Sequence, residues 1–264
     1  MPLPVLDTSL SWTNMWLILC SGQDISALWA YHGLQWRGLT VELVTAESLT
    51  ANVRWVHTVG LKGANTNITL ADGRMIDSRL VRGVVNRLTH VPLQHLRDAP
   101  DFEYATQEFT ALFMSWLKTL RGPIYNGVDA QGLSGAWRHA SEWVWLASLA
   151  GLKTLPYKQS SDDQFDETTQ LRRVVPEGTS TSMAIALGDQ VFGPNLPPQT
   201  SRACRELARI SKTPLLGIEL VSDISSHSWA FAGATPMPDL RLGGEPLLDA
   251  LAANFFQSEN GYKL

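Results

Sequence analysis

Four arginines are the side chains of this chain best suited to contact an anion. Arg172 and Arg173 are adjacent at the end of a polar stretch, and Arg82 and Arg87 belong to a predicted strand over residues 81–88. A guanidinium group binds phosphate or carboxylate in a bidentate manner, and open α/β sheets bind ligands at strand ends. We therefore treat Arg172 and Arg173 first, and Arg82 and Arg87 second, as candidate anion contacts. Ordinary surface ion pairing is the competing interpretation.

Other catalytic and metal-binding patterns are missing from the sequence. The turn after the first apolar run carries one glycine rather than G-x-G-x-x-G, and residues 132–135 do not form G-x-S-x-G. His90 and His95 are five residues apart, which fits no zinc-binding helix pattern. The acidic residues at 162–167 lack calcium-loop spacing, so a solvated acidic loop is expected there.

Composition narrows the class of protein further. The 264 residues carry a formal net charge of −4 and a pI of about 5.9, which argues against a nucleic-acid binder. Two cysteines do not make a disulfide scaffold in a chain of this length. No apolar stretch approaches the roughly 18 residues of a membrane span, and no signal peptide is evident. We expect a soluble cytoplasmic protein that contacts neither nucleic acid nor membrane.

The amino-terminal third predicts a parallel β-sheet. Residues 14–20 form an apolar run of strand length. A helix is predicted over 25–36, and Asp24 or Ser21 could cap it. Its apolar residues Ile25, Leu28, Trp29 and Leu34 have roughly helical spacing. A second strand over 39–44 completes a βαβ unit. Residues 67–76 alternate around Asp72-Gly73 and predict a hairpin.

The remainder predicts helices separated by one polar stretch and one more set of strands. Helices are expected over 101–120, 136–150, 200–212 and 246–256, a hairpin over 182–192, and paired strands over 215–221 and 228–232. Residues 157–181 are polar and read as an exposed loop. The tryptophans near the second helix, Trp137, Trp143 and Trp145, fall on more than one face, as at an interface.

The order of these elements resembles the ATP-grasp superfamily, in particular RimK-like and peptide-modifying ligases. The segments that carry the resemblance are residues 16–24, 34–44, 82–87, 104–126, 138–156, 184–192, 216–220 and 229–239. It implies an α/β fold in which a Rossmann-like pre-ATP-grasp domain (1–90) precedes a helical middle segment (91–156). A polar loop (157–181) and a truncated ATP-grasp-like α+β part (182–264) would follow.

The resemblance also implies where ATP and Mg²⁺ would bind, and the sequence departs from the family there. Members of the family carry a β-rich nucleotide subdomain after the segment that matches the one ending at Pro156. In this chain that place is taken by residues 157–181, in which Lys158 is the only lysine and Gly178 the only glycine. Glu219 matches the first acidic metal ligand of the family. The other two ligand positions fall on Gly233 and Thr235.

Three functional hypotheses follow. In the first, the chain is a catalytically impaired ATP-grasp-like protein that acts as a binding or accessory subunit of a peptide- or small-molecule-modifying system, with a protein partner or a second copy of itself. In the second, it is an active ATP-dependent carboxylate–amine ligase; Glu219 and Asp239 would then hold Mg²⁺, while Lys158, Arg172 and Arg173 would hold the phosphates of ATP. In the third, the chain is an enzyme of different chemistry that uses the cleft between its two α/β parts.

Overall fold

The computed structural model describes residues 14–61, 63–93, 100–155, 157, 179–223 and 228–261. The strands are β1 (Met15–Cys20), β2 (Val41–Thr45), β3 (Arg54–Gly60), β4 (Gly63–Thr69), β5 (Met75–Asp77), β6 (Val81–Asn86), β7 (Ile124–Tyr125), β8 (Thr179–Leu187), β9 (Gln190–Phe192), β10 (Leu215–Asp223) and β11 (Ser228–Thr235). The helices are α1 (Ile25–Trp36), α2 (Ala46–Thr50), α3 (Phe102–Thr119), α4 (Ala140–Leu149), α5 (Pro198–Ile210) and α6 (Gly244–Gly261), with a 3₁₀ turn over Leu240–Gly243.

The first sheet is parallel and has the strand order β2-β1-β6-β7, as the predicted βαβ unit requires. Both of its faces are buried, and alternate residues of each strand point to opposite faces. Trp16 and Ile18 face a core that includes α1 and α6, whereas Leu17 and Leu19 face a core that includes α3. Trp16 stacks on Phe255 of α6, with ring centroids 3.9 Å apart.

Helix α1 is capped by Asp24, one of the two predicted caps, and two of its regularly spaced apolar residues are exposed. The Asp24 carboxylate accepts a hydrogen bond from the backbone N–H of Ala27 at 2.9 Å. The buried residues of α1 are Ser26, Ala27, Ala30 and Leu34. Ile25 and Leu28 are exposed instead. The helix contains no charged residue, and its exposed side includes His32 and Gln35 together with these two apolar residues.

The second sheet is antiparallel, with the order β11-β10-β8-β9. The predicted hairpin turns at Gly188-Asp189, and β8 begins at Thr179, so the end of the expected polar loop is strand. Helices α4 and α5 cover one face of this sheet. Helix α4 begins at Ala140 rather than at 136, because His139 in extended conformation accepts from the backbone N–H of Ser141 and caps it.

The third sheet is a meander of β3, β4 and β5 that lies on α3. The predicted turn at Asp72-Gly73 joins β4 and β5, with Gly73 at φ 86°. Trp55 stacks on Phe113 at 5.2 Å and meets Trp116 edge-on at 5.3 Å. His57 lies between the hydroxyls of Thr66 and Ser115, at 2.7 and 2.8 Å.

A buried pair of asparagines joins the first sheet to the second. Asn126, directly after β7, donates to the backbone oxygens of Leu215 (2.9 Å) and Pro236 (2.6 Å) and accepts from the N–H of Leu215 (3.3 Å). Asn86, at the end of β6, donates to the backbone oxygens of Asn126 (2.9 Å) and Leu133 (2.6 Å). Asn126 has a left-handed backbone at φ 58°, which asparagine tolerates better than most residues.

Removing the side chain of Asn126 should destabilise the protein strongly. Asn126→Ala removes the side chain that pairs the buried backbone groups of Leu215 and the part-buried oxygen of Pro236, at about 1–3 kcal/mol for each buried group. We expect a loss of at least about 3 kcal/mol in the free energy of unfolding, measured by urea denaturation. Asn126→Gly should lose less, because glycine adopts the left-handed backbone without strain.

The matched control is Asn52→Ala. The Asn52 side chain makes one local hydrogen bond, to the backbone oxygen of Leu49 at 2.7 Å, so its removal should cost about 1 kcal/mol. Equal urea midpoints for Asn126→Ala and the unmodified protein would contradict the role given to the asparagine pair.

The two cysteines should be unreactive in the folded protein. Both are free and buried, and burial raises the pKa of Cys20 and of Cys204 to about 12. The thiolate is the nucleophilic form, so a coloured disulfide reagent at pH 8 should modify neither residue until guanidinium chloride unfolds the chain. Fast modification of the folded protein would show that one of the two residues is accessible.

Candidate functional site

The positions suggested by the family resemblance lie together on one face of the second sheet. Glu219 of β10 is directly opposite Gly233 of β11, and Gly217 is opposite Thr235. Residues opposite each other in an antiparallel pair share a face, as do residues two apart along a strand. Met183 of β8 is opposite Glu219 on the other side. This face is the one that α4 and α5 leave uncovered, because those helices pack on the alternate residues.

A cavity of about 480 Å³ opens at Glu219. Its lining residues are Thr181, Ser182, Met183, Gly193, Pro194, Glu219 and Leu242. Glu219 is the one charged residue among them, and Met183, Pro194 and Leu242 give the cavity a largely apolar wall. The cavity could therefore accept a small molecule or a side chain with one polar group that faces the Glu219 carboxylate.

The described residues of this face do not fit a magnesium ion. Mg²⁺ in nucleotide sites needs several oxygen ligands, usually carboxylates. Gly233 offers no side-chain atom, and the Thr235 hydroxyl accepts a hydrogen bond from the backbone N–H of Met237 at 3.0 Å. No group of three acidic, histidine or cysteine side chains that could hold a metal occurs in the part of the chain that the structure describes.

Asp239, the second residue considered as a metal ligand, has a structural role. Its carboxylate accepts from the Arg241 guanidinium, with a shortest distance of 2.6 Å, and from the Arg241 backbone N–H at 3.1 Å. These bonds begin the 3₁₀ turn at Leu240. The side-chain hydrogen bond from Arg241 lowers the pKa of Asp239, so the carboxylate is ionised and already paired.

Arg82 and Arg87, the candidate anion contacts expected at a strand end, do not lie together. Arg82 is the second residue of β6 and Arg87 follows its last residue, so they lie at opposite ends of the strand. Arg87 is only 5% exposed and pairs with Asp24, at 2.7 Å from Nε and 3.2 Å from Nη2. Its Nη1 donates to the backbone oxygen of Pro238 at 2.9 Å. All three nitrogens are therefore engaged within the protein.

This pairing explains what lies at the carboxyl edge of the first sheet. Open α/β sheets bind ligands at that edge. Here Arg87 holds the segment at Pro238 against the start of α1, because Asp24 both caps the helix and binds the guanidinium. Pro238 also contacts the second sheet, since a Cβ atom at Gly217 would lie 2.8 Å from the Pro238 Cβ. The edge is occupied by the chain's own segment.

Lys158, Arg172 and Arg173, the other predicted phosphate contacts, lie outside the described residues.

Sequence reasoning missed a second, basic cavity of about 390 Å³ on the opposite face of the second sheet. It is lined by Gly188, Asp189, Arg202, Arg205, Glu206, Ala208, Arg209, Lys212 and Pro214. The signal was present in the sequence, because the four basic residues are spaced by three, four and three positions along α5 and its end. Such spacing places them on one side of a helix.

None of the helices that the structure describes combines the length and the apolar character that a membrane crossing requires.

No family model and no curated protein matches this chain. Solved structures do. The macrocyclase MdnC from Microcystis aeruginosa MRC, bound with the precursor peptide MdnA, has a TM-score of 0.72 at 15% identity, over 92% of this chain and 99% of that one. The macrocyclase MdnB from the same organism has a TM-score of 0.70 at 15% identity, over 91% and 98%.

A further similar structure is the ATP-grasp ligase PsnB complexed with a phosphomimetic variant of its minimal precursor, Mg and ADP. Its TM-score is 0.67 at 13% identity, over 92% of this chain and 98% of that one. At these identities the comparison concerns the fold, and it confirms the resemblance that the sequence indicated. This chain has the fold of the ATP-grasp ligases.

Proposed function

We propose that this chain is a catalytically impaired ATP-grasp-fold protein that serves as a binding or accessory subunit of a peptide- or small-molecule-modifying system. The observation that carries the proposal is the composition of the face around Glu219. Its neighbours across the strands are Gly233 and Met183, and Thr235 lies next to them. Glu219 is the one carboxylate among these positions, which is too few oxygen ligands for Mg²⁺.

The accessory part of the proposal rests on the similar structures and on the exposed surface. MdnC is seen with a precursor peptide, and PsnB with its minimal precursor. In this chain, large apolar side chains are exposed on two helical regions. Trp36 at the end of α1 is 91% exposed, and Trp137, Trp145 and Leu149 at α4 are each at least 60% exposed. Tryptophan is enriched where proteins meet, so these regions are candidate contact surfaces.

The alternative is an active ATP-dependent ligase with a minimal nucleotide site. It would use Glu219 and Asp239 for Mg²⁺ and Lys158, Arg172 and Arg173 for phosphate. The Asp239–Arg241 pair weakens this alternative, because a metal would have to displace Arg241 from the carboxylate. The cavity at Glu219 is the place where a nucleotide would bind under this alternative, and binding there can be tested.

We expect ATP with Mg²⁺ to bind only at millimolar concentration or not at all, and we expect no release of ADP. Calorimetric titration of the purified chain, with and without EDTA, measures the first, and a coupled ADP assay measures the second. Glu219→Ala should leave both results unchanged, because one carboxylate does not make a magnesium site. Asp189→Ala, an acidic residue away from this face, is the matched control.

Two results would overturn the proposal in favour of the ligase. One is micromolar binding that depends on Mg²⁺ and is lost in Glu219→Ala but not in Asp189→Ala. The other is ADP release that rises with an added peptide or amine. The accessory role would be contradicted if the protein purified from its own host were monomeric and carried no bound partner.

A further inference from the structure

We propose that the basic cavity on α5 binds an acidic, extended peptide segment. The cavity lies on the helix-covered face of the second sheet, away from Glu219, so it is a separate site. The inference rests on the proposed function, because the proposed function supplies the assumption that the partner is a peptide.

The four basic side chains form one stripe. Arg202, Arg205 and Arg209 fall within about 60° of arc at 3.6 residues per turn, and Lys212, two residues past the end of the helix, lines the same cavity. The opposite side of α5 is buried, through Ala203, Cys204, Leu207 and Ala208, against the second sheet. The stripe therefore has a fixed orientation toward the cavity, because the helix cannot rotate without exposing its apolar side.

Positive charge in this cavity exceeds negative charge. Among the described residues that line it, four are basic and two, Asp189 and Glu206, are acidic, in a chain whose net charge is −4. Glu206 is bound by Arg209 at 2.5 and 2.7 Å, and Arg205 donates to the backbone oxygen of Asp189 at 3.2 Å. Within the described residues, the side chains of Arg202 and Lys212 have no ion-pair partner. They are available to an anionic ligand.

The backbone at Lys212 gives an independent reason to assign a role to its side chain. Lys212 follows the end of α5 with a left-handed backbone, at φ 56°. Glycine is the usual residue at this position, because any side chain there is strained. The position instead holds a long, exposed cation that lines the cavity. A ligand that uses the cation would account for the strain.

The dimensions of the stripe define the ligand. The part of the stripe that lies on α5, from Arg202 to Ile210, is about 12 Å long at the helical rise of about 1.5 Å, and Lys212 follows it. An extended peptide covers the helical part in about four residues, and its alternate side chains point to one side. The matching ligand is a segment with acidic residues at every second position.

Two observations favour a peptide over a nucleic acid. None of the described residues that line the cavity is aromatic, so they offer no ring on which a base could stack. The protein as a whole is acidic, which disfavours the approach of a long polyanion, whereas a short acidic segment feels mainly the local charge.

The test uses the full chain and a fluorescein-labelled peptide with glutamate at alternate positions, Gly-Glu-Ser-Glu-Ser-Glu-Gly, in a fluorescence anisotropy titration. We expect saturable binding that weakens as salt is added. Arg202→Glu with Lys212→Glu should reduce the affinity at least about tenfold. Arg54→Glu with Arg121→Glu is the matched control, with the same change of charge at two exposed arginines elsewhere. It should retain most of the affinity.

Three results would overturn the inference. The first is an absence of saturable binding to the unmodified protein. The second is an equal loss of affinity in the two double variants, which would mean that net charge alone is responsible. The third is complete displacement of the peptide by a single-stranded RNA oligonucleotide but not by unlabelled peptide. Circular dichroism confirms that each variant is folded.

A further variant, Lys212→Gly, separates stability from binding. Glycine relieves the left-handed backbone, so the thermal midpoint should rise, while the affinity for the peptide should fall. Undiminished affinity in this variant would remove Lys212 from the site. The assay contains no nucleotide, so its outcome is independent of the test of the Glu219 cavity. Failure here would leave the accessory function standing and would remove only this surface from it.

Discussion

The architecture depends on the buried hydrogen bonds of Asn126. The first and second sheets meet where β7 ends and β10 begins; the backbone groups of Leu215 are buried there and the oxygen of Pro236 is partly buried. Unpaired backbone groups in such a place are costly, so a side chain must supply both a donor and an acceptor. An amide does this with one residue. Asn86 then fixes the backbone of Asn126 from the neighbouring strand, so that the pair connects both sheets.

The ion pair of Arg87 and Asp24 follows from the same junction. Asn126 holds Pro236, and two residues later Pro238 accepts from Arg87. The segment between β11 and the 3₁₀ turn is therefore attached to the first sheet at two points. This attachment closes the edge at which a parallel sheet usually presents its ligand, and it leaves the Glu219 face of the second sheet as the open part of the cleft.

Local signals in the sequence predicted much of the fold. The turns at Asp72-Gly73 and Gly188-Asp189 and the amphipathic helix α3 depend on residues that are close in sequence. Long-range pairing was not predictable in this way. Arg87 was interpreted as an anion contact because it lies at a strand end, whereas the structure pairs it with Asp24, 63 residues away in sequence. The apolar residues of α1 were identified by their spacing alone, and that spacing did not show that Ile25 and Leu28 are exposed. In the candidate site, Glu219, Gly233 and Thr235 lie on one face of the second sheet, whereas the Asp239 carboxylate pairs with Arg241.

The stack of Trp16 on Phe255 has a consequence for the order in which the protein is made. The core on one side of β1 is completed by side chains from α6, more than 200 residues later in the chain. While the ribosome is still synthesising the second sheet, the core between β1 and α1 lacks the side chains of α6 that complete it. Contacts so distant in sequence form late and slowly, and an uncovered apolar strand is prone to aggregate in the interval. The nascent amino-terminal half is therefore the part of this protein that would benefit most from a chaperone.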